Sequence, residues 1–303
     1  MEDDYILVVG SLTYEIRFQQ ERLPNRCETL YAHSVSVGSG GTGVNQAVQC
    51  AKLGAKTILA GKVGQDYFGD ELLKEISGYG VDTSCIGRSV DMTGVGCLNL
   101  TDNGETHVTI SQGANYSITL ADAHSLQQLV AGAKVLVLQL EIPEPAVECL
   151  IDMASEAGVY IVLNASPARA IRREALEKVD AFIVNEVEAT YYFDQGIRTV
   201  SSVLHHYKDM LDQLGGCLIV TLGDEGAVLC TEGGCVSQPP MKLGPVVATA
   251  GAGDSFTGAY AYGIFKGMKE QEAFTYAAKA AALYITKVGT LNAMPTKAQM
   301  DMH

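Results

Sequence analysis

Apolar runs of strand length alternate with segments of helical spacing along this chain, and that alternation leaves few folds open. Residues 6–9, 57–63, 135–140, 160–163 and 181–184 read as strands, with helical segments at 45–53, 70–79 and 145–157 between them. The pattern predicts an α/β fold whose doubly wound, mainly parallel sheet is flanked by helices. Further on come a strand at 217–221, a hairpin across 227–236, a helix over 255–266 and an Ala-rich helix over 271–286. With 303 residues, 47% of them hydrophobic, the chain can bury a large core.

Residues 13–37 and 93–111 do not fit the alternation. Pieces such as Gly94-Val-Gly-Cys-Leu-Asn-Leu100 and His107-Val-Thr-Ile110 look like half-buried strands, so the two segments are expected to form a discontinuous β lid. The α/β core, with the ligand site, would then consist of residues 1–12, 38–92 and 112–303. Both lid segments lie beside glycine-rich turns, so the small sheet either closes over a ligand and excludes water or extends the structure without moving.

A formal net charge of −14 argues against nucleic acid and anionic membrane surfaces as partners, because such partners need a basic face. The start, Met-Glu-Asp-Asp-Tyr, has no basic or apolar leader, and no apolar run reaches the ~20 residues of a membrane span, so a cytoplasmic location is expected. Eight cysteines are scattered without a Cys-x-x-Cys pair and read as reduced thiols of the core.

The chemistry concentrates at Thr249-Ala-Gly-Ala-Gly-Asp-Ser-Phe256. A glycine-rich turn there delivers Asp254 to the start of an apolar helix, where the amides of Gly251, Ala252 and Gly253 would face a phosphate. A carboxylate shares a phosphate site when it accepts a proton from an attacking hydroxyl; the other reading is a helix cap. Gly38-Ser-Gly-Gly-Thr-Gly43 matches the dinucleotide fingerprint formally but comes far from the first strand. Its glycines are better read as letting the backbone approach a polar ligand, with Asn45 offering hydrogen bonds.

Glu141 and Asn185 follow apolar strands, at the carboxyl ends where open α/β sheets bind ligands. Asn185-Glu-Val-Glu188 suits either a hydrated Mg²⁺ or a helix cap. Thr221-Leu-Gly-Asp-Glu-Gly226 suits a nucleotide contact or an ordinary tight turn.

Taken together, Gly40-Gly-Thr-Gly-Val-Asn-Gln-Ala-Val48, Leu138-Gln-Leu-Glu141, Asn164-Ala-Ser-Pro-Ala168, Asn185-Glu-Val-Glu188, Thr221-Leu-Gly223 and Gly251-Ala-Gly-Asp-Ser-Phe256 resemble the ribokinase-like sugar kinases over essentially the whole chain. The resemblance implies transfer of the γ-phosphoryl of ATP to the primary 5-hydroxyl of D-ribose. A nucleoside or another sugar as acceptor, or a binding protein without catalysis, are the alternatives. It implies Asp254 as the base, with Gly251, Ala252 and Gly253 as the anion hole, and Glu15, Gly41, Thr42, Asn45 and Glu141 around the sugar. Asn185, Thr221, Gly223 and Gly226 would hold the nucleotide, with Asn185 and Glu188 organising Mg²⁺. It further implies a homodimer formed through the lid.

Four departures from the family pattern stand out. Thr13-Tyr14-Glu15 replaces Asn-x-Asp, and Thr42 stands where a lysine is common. Ala248 and Ala293 replace an Asp and a Ser beside the family's activating monovalent cation, so K⁺ activation is expected to be reduced or absent.

Overall fold

The computed structural model describes residues 4–302. Among the described residues, thirteen strands run in chain order as β1 (Ile6–Val9), β2 (Thr13–Gln20), β3 (Ser34–Gly40), β4 (Thr57–Gly64), β5 (Asp82–Ser89), β6 (Gly94–Thr101), β7 (Thr106–Ser111), β8 (Val135–Gln139), β9 (Tyr160–Asn164), β10 (Ala181–Asn185), β11 (Cys217–Thr221), β12 (Ala227–Thr231) and β13 (Gly234–Gln238). Nine form the central sheet, in the order β13-β12-β11-β10-β9-β8-β1-β4-β5. It is parallel from β5 to β11 and antiparallel only at β12 and β13.

Every residue of β1 is buried, and its side chains alternate between two cores. Ile6 and Val8 pack with Val44, Val48, Phe256 and Tyr260 from the helices Thr42–Lys52 and Ala252–Phe265. Leu7 and Val9 pack with Val147, Leu150 and Ile151 of the helix Glu144–Glu156 on the opposite face. Each such side chain stabilises the fold by roughly 1.5–3 kcal/mol, so the strand is held from both sides without a polar face. The helices Thr42–Lys52 and Ala252–Phe265 approach closely because of Gly258. A Cβ there would lie 2.7 Å from Gln49 Cβ and 2.8 Å from Gln46 O.

The chain passes from β1 through β4 to β5 on one side and from β8 through β11 on the other. The strand order therefore reverses between β1 and β8, leaving a crevice beyond Val9 and Gln139. This is where the ligand site of such a sheet belongs.

The remaining strands form a second sheet, β3-β2-β6-β7. Residues paired in register share a face, so Ile16 with Val37 and Phe18 with Val35 lie on one side, while Glu15 and Arg17 lie on the other. Strand β3 continues to Gly40, so the glycine-rich stretch leaves this small sheet directly into the helix Thr42–Lys52. That is not the βαβ setting a dinucleotide fingerprint requires.

Strand β5 escapes the sequence pattern because it is an edge strand with little burial. The helix expected from residue 255 begins at Ala252 instead, since Gly251 takes φ 91° and turns the chain into the helix early. Asp254 therefore lies in the first turn, and Gly251 occupies the cap. Of the cysteines, Cys50, Cys217 and Cys230 are buried as free thiols, but Cys27 is exposed, against the expectation of core thiols. Among the described residues, no helix is long and apolar enough to cross a membrane.

Candidate active site

At the carboxyl ends of β1 and β8, the Ser11 hydroxyl donates to the Glu141 carboxylate. The Thr42 amide donates to the same Glu141 oxygen at 3.2 Å, placing a negative charge at the N-terminus of the helix Thr42–Lys52. Gly41 makes this approach achievable. It has φ 93°, and a Cβ on it would lie 2.9 Å from Ser11 O. Glu15 reaches in from the small sheet and pairs with Arg17, which also donates to Thr290 Oγ1 at 2.6 Å. Burial pushes the Glu15 carboxyl up, against the pull of Arg17, and Glu141 adds to the upward push.

Asp254 is held by two amides of the neighbouring helix. Asn45 Nδ2 donates to Oδ2 at 2.7 Å and Gln46 Nε2 to Oδ1 at 3.2 Å. Gln46 Oε1 accepts from Gln139 Nε2 at 2.7 Å, and Gln46 Nε2 also reaches Asn164 Oδ1 at 3.0 Å. Gln139, at the end of an otherwise apolar strand, thus fixes which way Gln46 faces. Although solvent reaches one side of Asp254, the surrounding protein pushes its carboxyl up to about 7; Asn45 and Gln46 oppose this, while Glu141 and Glu15 add to it. Burial outweighs the favourable field of a helix N-terminus, typically 0.3–1 kcal/mol on the order-of-magnitude scale. The result is a carboxylate poised to exchange a proton near neutrality.

Two features leave polar groups in this cleft without partners. Asn45 Oδ1 is buried without a partner, an arrangement that costs about 1–3 kcal/mol unless a donor arrives. Among the described residues, the amides of Gly251, Gly253 and Asp254 also lack an acceptor, whereas Ala252 donates to Thr249 O at 3.0 Å. Of the amides expected to form an anion hole, that of Ala252 is therefore already engaged, while that of Asp254, not among those expected, is free.

Asn185, Thr221, Gly223 and Gly226 form a separate group. Asn185 and Thr221 are register partners at the ends of β10 and β11, and Gly223 and Gly226 follow with φ 55° and 92°. Asn185 Oδ1 accepts from the amides of Val187 and Glu188, each at 2.9 Å, while Glu188 Oε2 accepts from the Asn185 amide at 2.9 Å. This reciprocal cap starts the helix Glu186–Phe193, and burial pushes the Glu188 carboxyl up. Among the described residues no cluster of three His, Cys, Asp or Glu could cage a metal. One capped carboxylate fits a hydrated Mg²⁺ carried by phosphates, not an ion enclosed by protein.

The pfkB family carbohydrate kinase profile matches residues 3–297. The chain belongs to the pfkB family of carbohydrate kinases. This pfkB-family kinase is 30% identical to the ribokinase of Bacillus subtilis over 297 residues, covering 98% of each chain. It is 28% identical to the deoxyribokinase of Salmonella typhi over 298 residues, covering 98% of this chain and 97% of that one. The structure of Arabidopsis thaliana ribokinase complexed with ribose and ATP superposes with a TM-score of 0.91 at 28% identity, covering 99% of this chain and 98% of that one.

In this pfkB-family kinase the structure also assembles residues to which the motifs assigned no role, although Gln46, Gln139 and Asn164 lie within them. Ser11, Arg17, Gln46, Gln139 and Asn164 bond directly to the carboxylates or to the amides holding them. Two signals were available: Gln139 interrupts a buried apolar strand, and Arg17 alternates with Glu15 on β2. Tyr14, by contrast, is buried against Phe68 with ring centroids 5.0 Å apart and does not share the face of Glu15.

Proposed function

We propose that this pfkB-family kinase transfers the γ-phosphoryl of ATP to the primary 5-hydroxyl of D-ribose, giving ribose 5-phosphate and ADP. The observation that carries the reading is Asp254: a carboxylate pushed up to about 7, fixed by Asn45 and Gln46, at a helix N-terminus with free amides. Asp254 takes the proton from the acceptor hydroxyl. The amides of Gly251, Gly253 and Asp254 stabilise charge on the transferring phosphoryl, a contribution of about 10²–10³ in rate per well-placed donor. Glu15, Gly41, Thr42, Asn45 and Glu141 surround the sugar, with Asn45 Oδ1 accepting one of its hydroxyls. Thr221, Gly223, Gly226 and Asn185 flank the nucleotide. Asn185 and Glu188 would hold hydrated Mg²⁺, which supplies charge neutralisation on the phosphates when bound.

A second reading, a kinase of the same chemistry acting on deoxyribose or a nucleoside, draws on the Salmonella relative and on Glu15 and Thr42. ADP release from MgATP with D-ribose, deoxyribose, fructose and nucleosides separates the two, and no release with any acceptor would overturn both. Exposed Val35 and Val37 on the outer face of the small sheet are where a second copy would pair, which sedimentation equilibrium tests.

A further inference from the structure

Tyr284 ends the helix Glu270–Tyr284 and is fully buried beside Ala293 and Met294, in a small cluster apart from the two main cores. Its hydroxyl donates to Ala250 O at 2.6 Å, with Gly289 O a second acceptor at 3.3 Å. Ala250 immediately precedes Gly251, the cap of the helix bearing Asp254. In a trans peptide the C=O of one residue and the N–H of the next point in opposite directions. A hydroxyl that holds the Ala250 carbonyl therefore also aims the Gly251 amide away from Tyr284. Gly251 is fitted to this contact, since a Cβ there would lie 2.4 Å from the tyrosine oxygen.

Two backbone carbonyls converging on one point offer oxygen ligands of the kind a monovalent cation uses. The side chains at Ala248 and Ala293 add no oxygen, and the Tyr284 hydroxyl already occupies the point of convergence. The residues present do not fit a cation. The loop is held without one, as the amides of Val247 and Ala248 donate to Ile285 O at 2.8 and 3.3 Å.

We propose that the Tyr284 hydroxyl takes the place of an activating monovalent cation in this kinase, positioning the Gly251 amide through the Ala250 carbonyl. Tyr284 is thus a positioning residue, and the inference rests on the reading of the 251–254 amides as the phosphate site. Burial pushes its hydroxyl up, so it remains a protonated donor throughout the working range.

The test compares wild type with Tyr284→Phe, which keeps the ring and removes only the donor. Turnover and thermal melting are measured in KCl and in choline chloride at matched ionic strength. Wild-type turnover should agree within about twofold between the two salts, and KCl should not raise its melting temperature relative to choline. Tyr284→Phe should remain folded and lose kcat by about tenfold or more, with the KM for the sugar unchanged, as expected when a transition-state donor is misaligned. Strong activation or stabilisation of wild type by potassium would overturn the proposal, and so would a Tyr284→Phe enzyme with wild-type kcat. If no acceptor supports turnover, the functional reading fails, while the salt comparison of melting still decides whether a cation binds.

Discussion

Replacing Asp254 by Asn should abolish most activity and stabilise the protein at the same time, with a pH dependence that identifies the cause. The carboxyl moves from an ordinary 3.8 to about 7 on folding. The native state therefore keeps a proton that the unfolded chain releases, and stability falls as pH rises through that interval. At about 1.36 kcal/mol per unit, the ionised group costs a ceiling of about 4 kcal/mol above pH 7. Solvent access to Asp254 and the lost helix-terminus attraction reduce this to roughly 2 kcal/mol. Asn escapes the charge penalty, and Asn45, whose Oδ1 has no partner, can turn its amide to meet the new donor. At roughly 2 °C per kcal/mol for a chain of this length, Asp254→Asn should melt about 4 °C above wild type at pH 8, and about a third of that at pH 5. Its turnover should drop by about 10²-fold or more, with ATP affinity near normal. Wild-type kcat/KM should itself fall below about pH 7 as Asp254 is protonated. Calorimetry across pH together with steady-state kinetics tests both halves. Wild-type turnover in the variant, or a melting difference independent of pH, would refute the reasoning.

Further expectations concern the residues around this carboxylate. Gln46→Leu removes a donor that lowers the Asp254 pKa, so the acid limb of the kcat/KM profile should move to higher pH, with a stability loss of roughly 1–3 kcal/mol from the orphaned Gln139 and Asn164 groups. An unmoved acid limb would remove Gln46 from the protonation chemistry. Gly41→Ala places a Cβ 2.9 Å from Ser11 O at φ 93°, and should cost roughly 1–3 kcal/mol and raise the KM for the sugar, both measurable by melting and kinetics. Glu188→Gln keeps an acceptor for the Asn185 amide but loses the charge, so the Mg²⁺ concentration for half-maximal turnover should rise on the order of tenfold with melting little changed. An unaltered Mg²⁺ titration would assign Glu188 to capping alone.

Much of the fold was legible because its signals are local. The buried strands are unbroken apolar runs, and the glycine-rich stretches stand at their ends. Edge strand β5 was not legible, because its exposed faces leave no hydrophobic period to read. The start of the Asp254 helix was not legible, because Gly251 turns the chain at φ 91° and lies against Tyr284, a residue far along the chain.

The sequence by itself determined the layered α/β architecture, the small second sheet and the set of polar residues at strand ends, since periodicity and turn chemistry act over a few neighbours. Only the tertiary structure decided how that set is wired. Asn45 meets Asp254 across 209 positions, Gln139 orients Gln46 across 93, and Tyr284 reaches Ala250 across 34. It likewise turned Tyr14 toward Phe68 and used Asn185 and Glu188 to cap a helix. Such choices depend on rotamers, amide orientation and burial, which arise only when distant segments pack around the same crevice. The elevated pKa of Asp254 is of that kind: no neighbour in sequence produces it, and the enclosing fold does.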